Sequence, residues 1–129
     1  MHSAAIHLLR RVSREDSGIG VSPARLSALS VLVFAGPKTM SELAVTERVK
    51  VPTMSRLVAA MEDEGLVRRE RHGTDARSVV LHSTVKGRRI LERARELRLG
   101  LLEALLSKAT PHEIATVREA AEIVDRLVL

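Results

Sequence analysis

No cysteine occurs among the 129 residues. That excludes disulfides, thiolate-bound zinc, iron–sulfur clusters and sensing by thiol oxidation, and it agrees with a cytosol without fixing the compartment. Aromatic side chains are almost as scarce, with one Phe, no Trp and no Tyr. A single-strand binder that stacks bases on aromatic platforms is therefore disfavoured, and Leu, Val, Ala and Ile must build the core, which suits packed helices. No apolar run approaches the roughly 20 residues of a membrane-spanning helix. Arg10 and Arg11 also interrupt the first apolar stretch too early for a signal peptide, so a soluble, cytoplasmic protein is expected. Catalytic patterns are missing as well. There is no phosphate-loop Gly-Lys-Ser/Thr, and Gly18-Ile19-Gly20 lacks the third glycine of a dinucleotide site and follows no strand. No grouping of Ser, His and Asp stands out. His2, His7, His72, His82 and His112 show no i, i+4 pairing of a zinc site. His72 and His82 could face each other across a hairpin, but two exposed strand histidines are the simpler reading. No enzyme activity, cofactor or metal is expected.

What the chain has is positive charge. The formal net charge is +5 and the pI about 10.7, an expected footprint of nucleic-acid binding that membrane-surface or acidic-protein binders share. The length suits one domain. Ala5, Leu8, Leu9 and Val12 have helical spacing and predict a first helix over 3–14, followed by a loop over 15–21. Ser22-Pro23 starts a second helix, apolar almost all round and stopped by Gly36-Pro37. Thr39-Met40-Ser41-Glu42 is a capping box that opens a short third helix to about Arg48. A fourth runs from about Pro52 to Glu64, with Met54, Leu57, Val58 and Met61 facing inward and Gly65 past its end. Residues 67–72 and 78–82 read as two strands around a turn containing Gly73. A long helix over 85–107 carries the stripe Ile90, Ala94, Leu97, Leu101 and Leu105. Thr110-Pro111-His112-Glu113 is a second capping box. It opens a last helix with Ile114, Val117, Ala121, Val124 and Val128 on one side.

Two short helices in tandem followed by a basic hairpin, all within 39–84, form the outline of a winged helix-turn-helix. Such a motif lets the second helix enter a DNA major groove while the first braces it. Base edges accept only a small, polar outer face, and Thr53, Ser55 and Arg56 supply one; Arg can read guanine bidentately, and Ser or Thr can contact bases or phosphates. An ordinary solvated face of a helical hairpin would look the same. The hairpin tips the balance, because Arg68, Arg69, Arg71 and Arg77 crowd it. Between Arg68 and Arg98 ten Arg or Lys stand against four Asp or Glu, a local excess of +6 that is larger than the whole-chain charge. Arginine at a hairpin tip can enter the minor groove.

The residues Glu42-Leu43-Ala44, Pro52-Thr53-Met54-Ser55-Arg56-Leu57-Val58, Glu62-x-x-Gly65-Leu66-Val67-x-Arg69, Asp75-x-Arg77 and Thr84-x-x-Gly87 carry a resemblance. In order and spacing, from about Ser22 to the C-terminus, the chain resembles the MarR family of bacterial regulators. The resemblance implies a mainly α fold with a small β-hairpin wing. It implies a single MarR-type domain over 1–129, with a winged helix-turn-helix core at 22–84 and dimerisation helices in 1–21 and 85–129. It implies a homodimer that binds a pseudo-palindromic double-stranded operator, usually to repress transcription, and releases it on binding a small anionic or phenolic effector. The DNA-facing residues would be Lys50, Pro52, Thr53, Ser55, Arg56, Arg69 and Arg71, with Arg77 in the minor groove positioned by Asp75. His7 and Phe34 are guesses for the effector pocket, whose lining would be aliphatic with Arg or His. Where the family often has Leu, Gly and Ser near positions 47, 48 and 50, this chain has Glu47, Arg48 and Lys50, so the serine cap is missing. An acid at position 47, unhelpful near phosphate, motivates the alternative of a winged-helix module that binds protein and has lost DNA.

Overall fold

The computed structural model describes residues 2–71 and 79–128, and within 15–17 the backbone alone. Along the chain run α1 (His2–Ser17), α2 (Pro23–Phe34), β1 (Lys38–Thr39), α3 (Met40–Thr46), α4 (Val51–Asp63), β2 (Val67–Arg71), β3 (Val79–Ser83), α5 (Val85–Leu106) and α6 (Pro111–Val128). The architecture is the mainly α fold with a small antiparallel wing that the pattern implies.

Local chemistry explains most boundaries. Thr39 N–H donates to Glu42 Oε2 at 2.7 Å and Glu42 N–H to Thr39 Oγ1 at 3.3 Å, which closes the capping box of α3. Thr110 and Glu113 repeat the device at α6, with 2.7 and 3.3 Å. Thr84 Oγ1 accepts from Gly87 N–H at the head of α5. Two boundaries differ from expectation. α1 continues through Glu15, Asp16 and Ser17, because nothing breaks a helix there until Gly18. α3 ends at Thr46 and not near Arg48, because Arg48 takes a positive φ of 55°.

The sheet has the order β1-β3-β2, antiparallel throughout. β1, two residues long, is the element that alternation cannot reveal; it exists because the chain from α2 to α3 passes along β3, with Lys38 opposite Leu81. Register places Arg68 opposite His82 and Arg69 opposite Leu81. His82 therefore has Arg68 as its cross-strand neighbour; His72 lies outside the described residues.

α2 sits at the centre, against α3, α4, α5 and β3. Leu26, Ala28, Leu29 and Leu32 are buried on it. Leu43 from α3, Met54, Val58 and Met61 from α4, and Leu81 from β3 close around them. Leu57, expected inward, is half-buried at the edge of this core. α1 packs along α5, and α6 buries none of its described residues.

Candidate nucleic-acid interface

α4 is anchored by Met54, Val58 and Met61, each at most 1% exposed. That fixes which sides are free. Pro52, Thr53 and Arg56 are exposed, and Ser55 is half-buried on the flank. The helix starts without a side-chain cap, since Lys50 occupies the N-cap position and makes no capping bond. Lys50 itself is exposed.

The turn that delivers α4 closes by a Schellman arrangement. Val49 N–H donates to Ala44 O at 3.0 Å and Arg48 N–H to Val45 O at 3.1 Å, with Arg48 as the left-handed residue. The end of α4 repeats it with Leu66 N–H on Met61 O at 2.8 Å, Gly65 N–H on Glu62 O at 2.9 Å, and Gly65 at φ 72°. Glycine does at one end what arginine does at the other. Arg48 is thus a residue that motif matching undervalued; its signal was the missing family glycine. Glu47, half-buried, reaches α2 along the surface, its Oε1 accepting from the Ser27 hydroxyl at 3.1 Å. The acid that seemed misplaced near phosphate is a tie between α3 and α2.

On the wing, Arg69 leans onto α4, Nε to Glu62 Oε2 at 2.8 Å. The pair links β2 to α4. Across the other face, Glu70 receives Arg68, and His82 Nε2 lies 3.4 Å from Glu70 Oε2. Arg71 is exposed at the far end of β2. Asp75 and Arg77 lie outside the described residues. Glu42, behind the interface, is held below the usual glutamate pKa by the Thr39 backbone N–H and then by the Thr39 hydroxyl.

A cavity of about 570 Å³ opens between α2 and α5, lined by Ser30, Val33, Phe34, Arg88, Leu91 and Arg95 among others. Phe34 is 80% exposed at its edge. Val33 and Leu91 give the cavity an aliphatic side, and Arg88, Arg95 and Arg98 with Glu92 give it a charged one. His7 is not part of it: it lines a separate groove on α1 with Arg10, Arg11 and Arg14. The two guesses for one effector pocket line different cavities, His7 on α1, which packs along α5, and Phe34 at the end of α2.

Residues 19–78 match the sequence profile described as the MarR family. An HTH-type transcriptional regulator of Mycobacterium tuberculosis is 33% identical over 97% of this chain and 87% of its own. The chain belongs to the MarR family. A MarR family protein from Bacillus stearothermophilus superposes with a TM-score of 0.80 at 26% identity, covering 97% of this chain and 87% of that one. A MepR mutant from Staphylococcus aureus, solved bound to an oligodeoxyribonucleotide, has the same fold, with a TM-score of 0.80 at 16% identity over 98% and 94% of the two chains. This MarR-family protein is a transcriptional regulator with a DNA-binding winged helix, and not an enzyme. Among its described residues no helix is long and apolar enough to cross a membrane.

Proposed function

We propose that this regulator is a homodimeric repressor that reads a pseudo-palindromic double-stranded operator. Each protomer lays α4 in a major groove, with half-sites about one helical turn apart. The observation that carries this is the division of α4. One side is fully buried by Met54, Val58 and Met61, and the other offers Pro52, Thr53 and Arg56 beside Lys50. Ser55 reaches base or sugar from the flank. Arg71 follows the phosphates, and Arg77, placed by Asp75, enters the minor groove. Arg69 acts through Glu62, keeping the wing at the right height. With Glu47 bonded to Ser27, the feature that favoured a DNA-free module loses its force.

Residues 22–84 do the reading, and 1–21 with 85–129 pair the copies. Support comes from α6, where Val117 is 50% exposed, Val124 45% and Val128 77%, all on one stripe of a helix with no buried residue. Burying each large apolar side chain against a second copy contributes about 1.5–3 kcal/mol. The cavity beside Phe34 is the site for a small anionic or phenolic effector. Its volume lies in the range of small-molecule pockets, and the arginines on its wall, Arg88, Arg95 and Arg98, outnumber Glu92, which favours an anion.

Fluorescence anisotropy with genomic fragments at rising salt tests the reading. Binding should weaken with a log–log slope of about −0.9 per phosphate contact, and Arg56→Ala should lose sequence preference as well as affinity. No salt-sensitive binding at all would favour the protein-interaction module instead. Val124→Glu should yield monomers in sedimentation; an intact dimer would remove α6 from the interface.

A further inference from the structure

Glu64, the residue that caps the C-terminal end of α4, is held from two directions. Its carboxylate pairs with the Arg25 guanidinium of α2. Its backbone carbonyl accepts from Lys86 Nζ of α5 at 2.6 Å. The next two carbonyls are also taken by the head of α5, Gly65 O by the Thr84 hydroxyl at 2.6 Å and Leu66 O by Thr84 N–H at 3.0 Å. Glu64 O is a helix-end carbonyl that needs a partner from outside the helix, and the Leu66 O–Thr84 N bond continues the β2–β3 register by one pair. Here three in succession are tied to the helix that leads away from the winged unit.

We propose that Glu64, gripped by Arg25 and Lys86, is the positioning residue that sets the angle of the recognition helix and hence the half-site spacing the protein accepts. This rests on the dimeric, two-groove reading above. The grip lies at one end of α4 and the DNA-facing residues at the other, and Met54, Val58 and Met61 lock α4 into the core between them, so α4 turns only together with that core, as the arm of a lever whose pivot is the junction with α5. Thirteen residues at about 1.5 Å each make it about 20 Å long. A tilt of roughly 10° about Glu64 moves the far end by about 3.4 Å, one base-pair step. In a two-fold dimer that displacement occurs twice, in opposite senses. A loose grip therefore blurs spacing before it costs any contact within a half-site. The Arg25–Glu64 pair is part-exposed, with 27% and 37% of the two side chains accessible, so its contribution to folding is small and separable from its effect on angle.

The test uses full-length protein and a duplex that the wild type selects from a random pool. Affinity is measured on that duplex, on versions with one base pair added or removed between half-sites, and on a single half-site. For the wild type, misplacing a half-site loses at least one bidentate base contact, about tenfold or more in affinity. In Lys86→Met, and further in Lys86→Met with Arg25→Met, that penalty should shrink to about threefold or less, half-site affinity should move far less, and melting temperature should change little. Lys86→Arg, which keeps a donor, should restore the penalty. Variants that keep the full wild-type penalty overturn the role of Glu64. A wild type that shows no spacing preference overturns the two-groove reading on which it rests.

Discussion

Replacing Arg48 by glycine should make this protein more stable and a weaker DNA binder at once. Arg48 holds a φ of 55° in the turn between α3 and α4. An L-residue there lies about 1–2 kcal/mol above its right-handed alternative. Glycine escapes that strain, but its freer unfolded chain takes back about 0.4–1 kcal/mol. The net gain is about 0.5–1 kcal/mol, a rise of a few degrees in Tm. Nothing is lost from the side chain, which is exposed and makes no ion pair in the described structure. The guanidinium is, however, two residues from Lys50 at the start of the recognition helix. Removing it should lower the salt slope of DNA binding by about 0.9 if it neutralises one phosphate. Arg48→Ala separates the two effects, since it deletes the charge and keeps the strain. Urea unfolding should be run at one chain concentration, because a dimer's stability depends on it. Glycine and alanine variants of equal stability would refute the strain. A glycine variant with the wild-type salt slope would refute the phosphate contact.

Two further outcomes follow from the geometry. The Glu42 carboxyl is depressed in the fold by the Thr39 amide and hydroxyl, so its stabilisation is present above the unfolded glutamate pKa and is lost as pH falls through the lower folded value. Amide protection factors at the head of α3, taken relative to intrinsic exchange at each pH, should therefore fall as the pH drops below the usual glutamate range, and Glu42→Gln should flatten that fall; an unaltered pH profile in the variant would exclude the capping carboxylate as its cause. Gly87→Ala should lower the urea midpoint, because a Cβ there meets Leu66 O at 2.3 Å and Leu29 Cδ1 at 3.0 Å. Overpacking of about 1–3 kcal/mol outweighs the roughly 1 kcal/mol that alanine gains in helix propensity, so an unchanged or higher midpoint would contradict the close approach of α5 to the start of β2.

Features that rest on neighbours in sequence were legible before the structure. Both capping boxes, the Pro23 start and Gly65 stop involve atoms within a few residues, and the chain spells them out. The inward face of α4 followed from periodicity, although Leu57 stops at the rim. What was hidden depends on distant segments meeting. β1 is too short to alternate and exists only because β3 passes beside it. Arg69 read only as a DNA-facing arginine because Glu62, seven residues earlier, reaches it only once β2 folds back along α4. Glu47 looked out of place until Ser27, twenty residues away, came beside it. His7 and Phe34 line separate cavities, which no spacing encodes.

The position of Phe34 has a practical side. With no Trp or Tyr, the chain absorbs almost nothing at the wavelengths where indole and phenol do, and emits no indole fluorescence. Its lone ring stands 80% exposed at the rim of the α2–α5 cavity, a place where a larger ring displaces no core atom. Phe34→Trp would turn this spectral silence into an advantage. It would give the protein a single fluorophore at the mouth of the cavity, against a dark background, and every change in its emission could be assigned to one address.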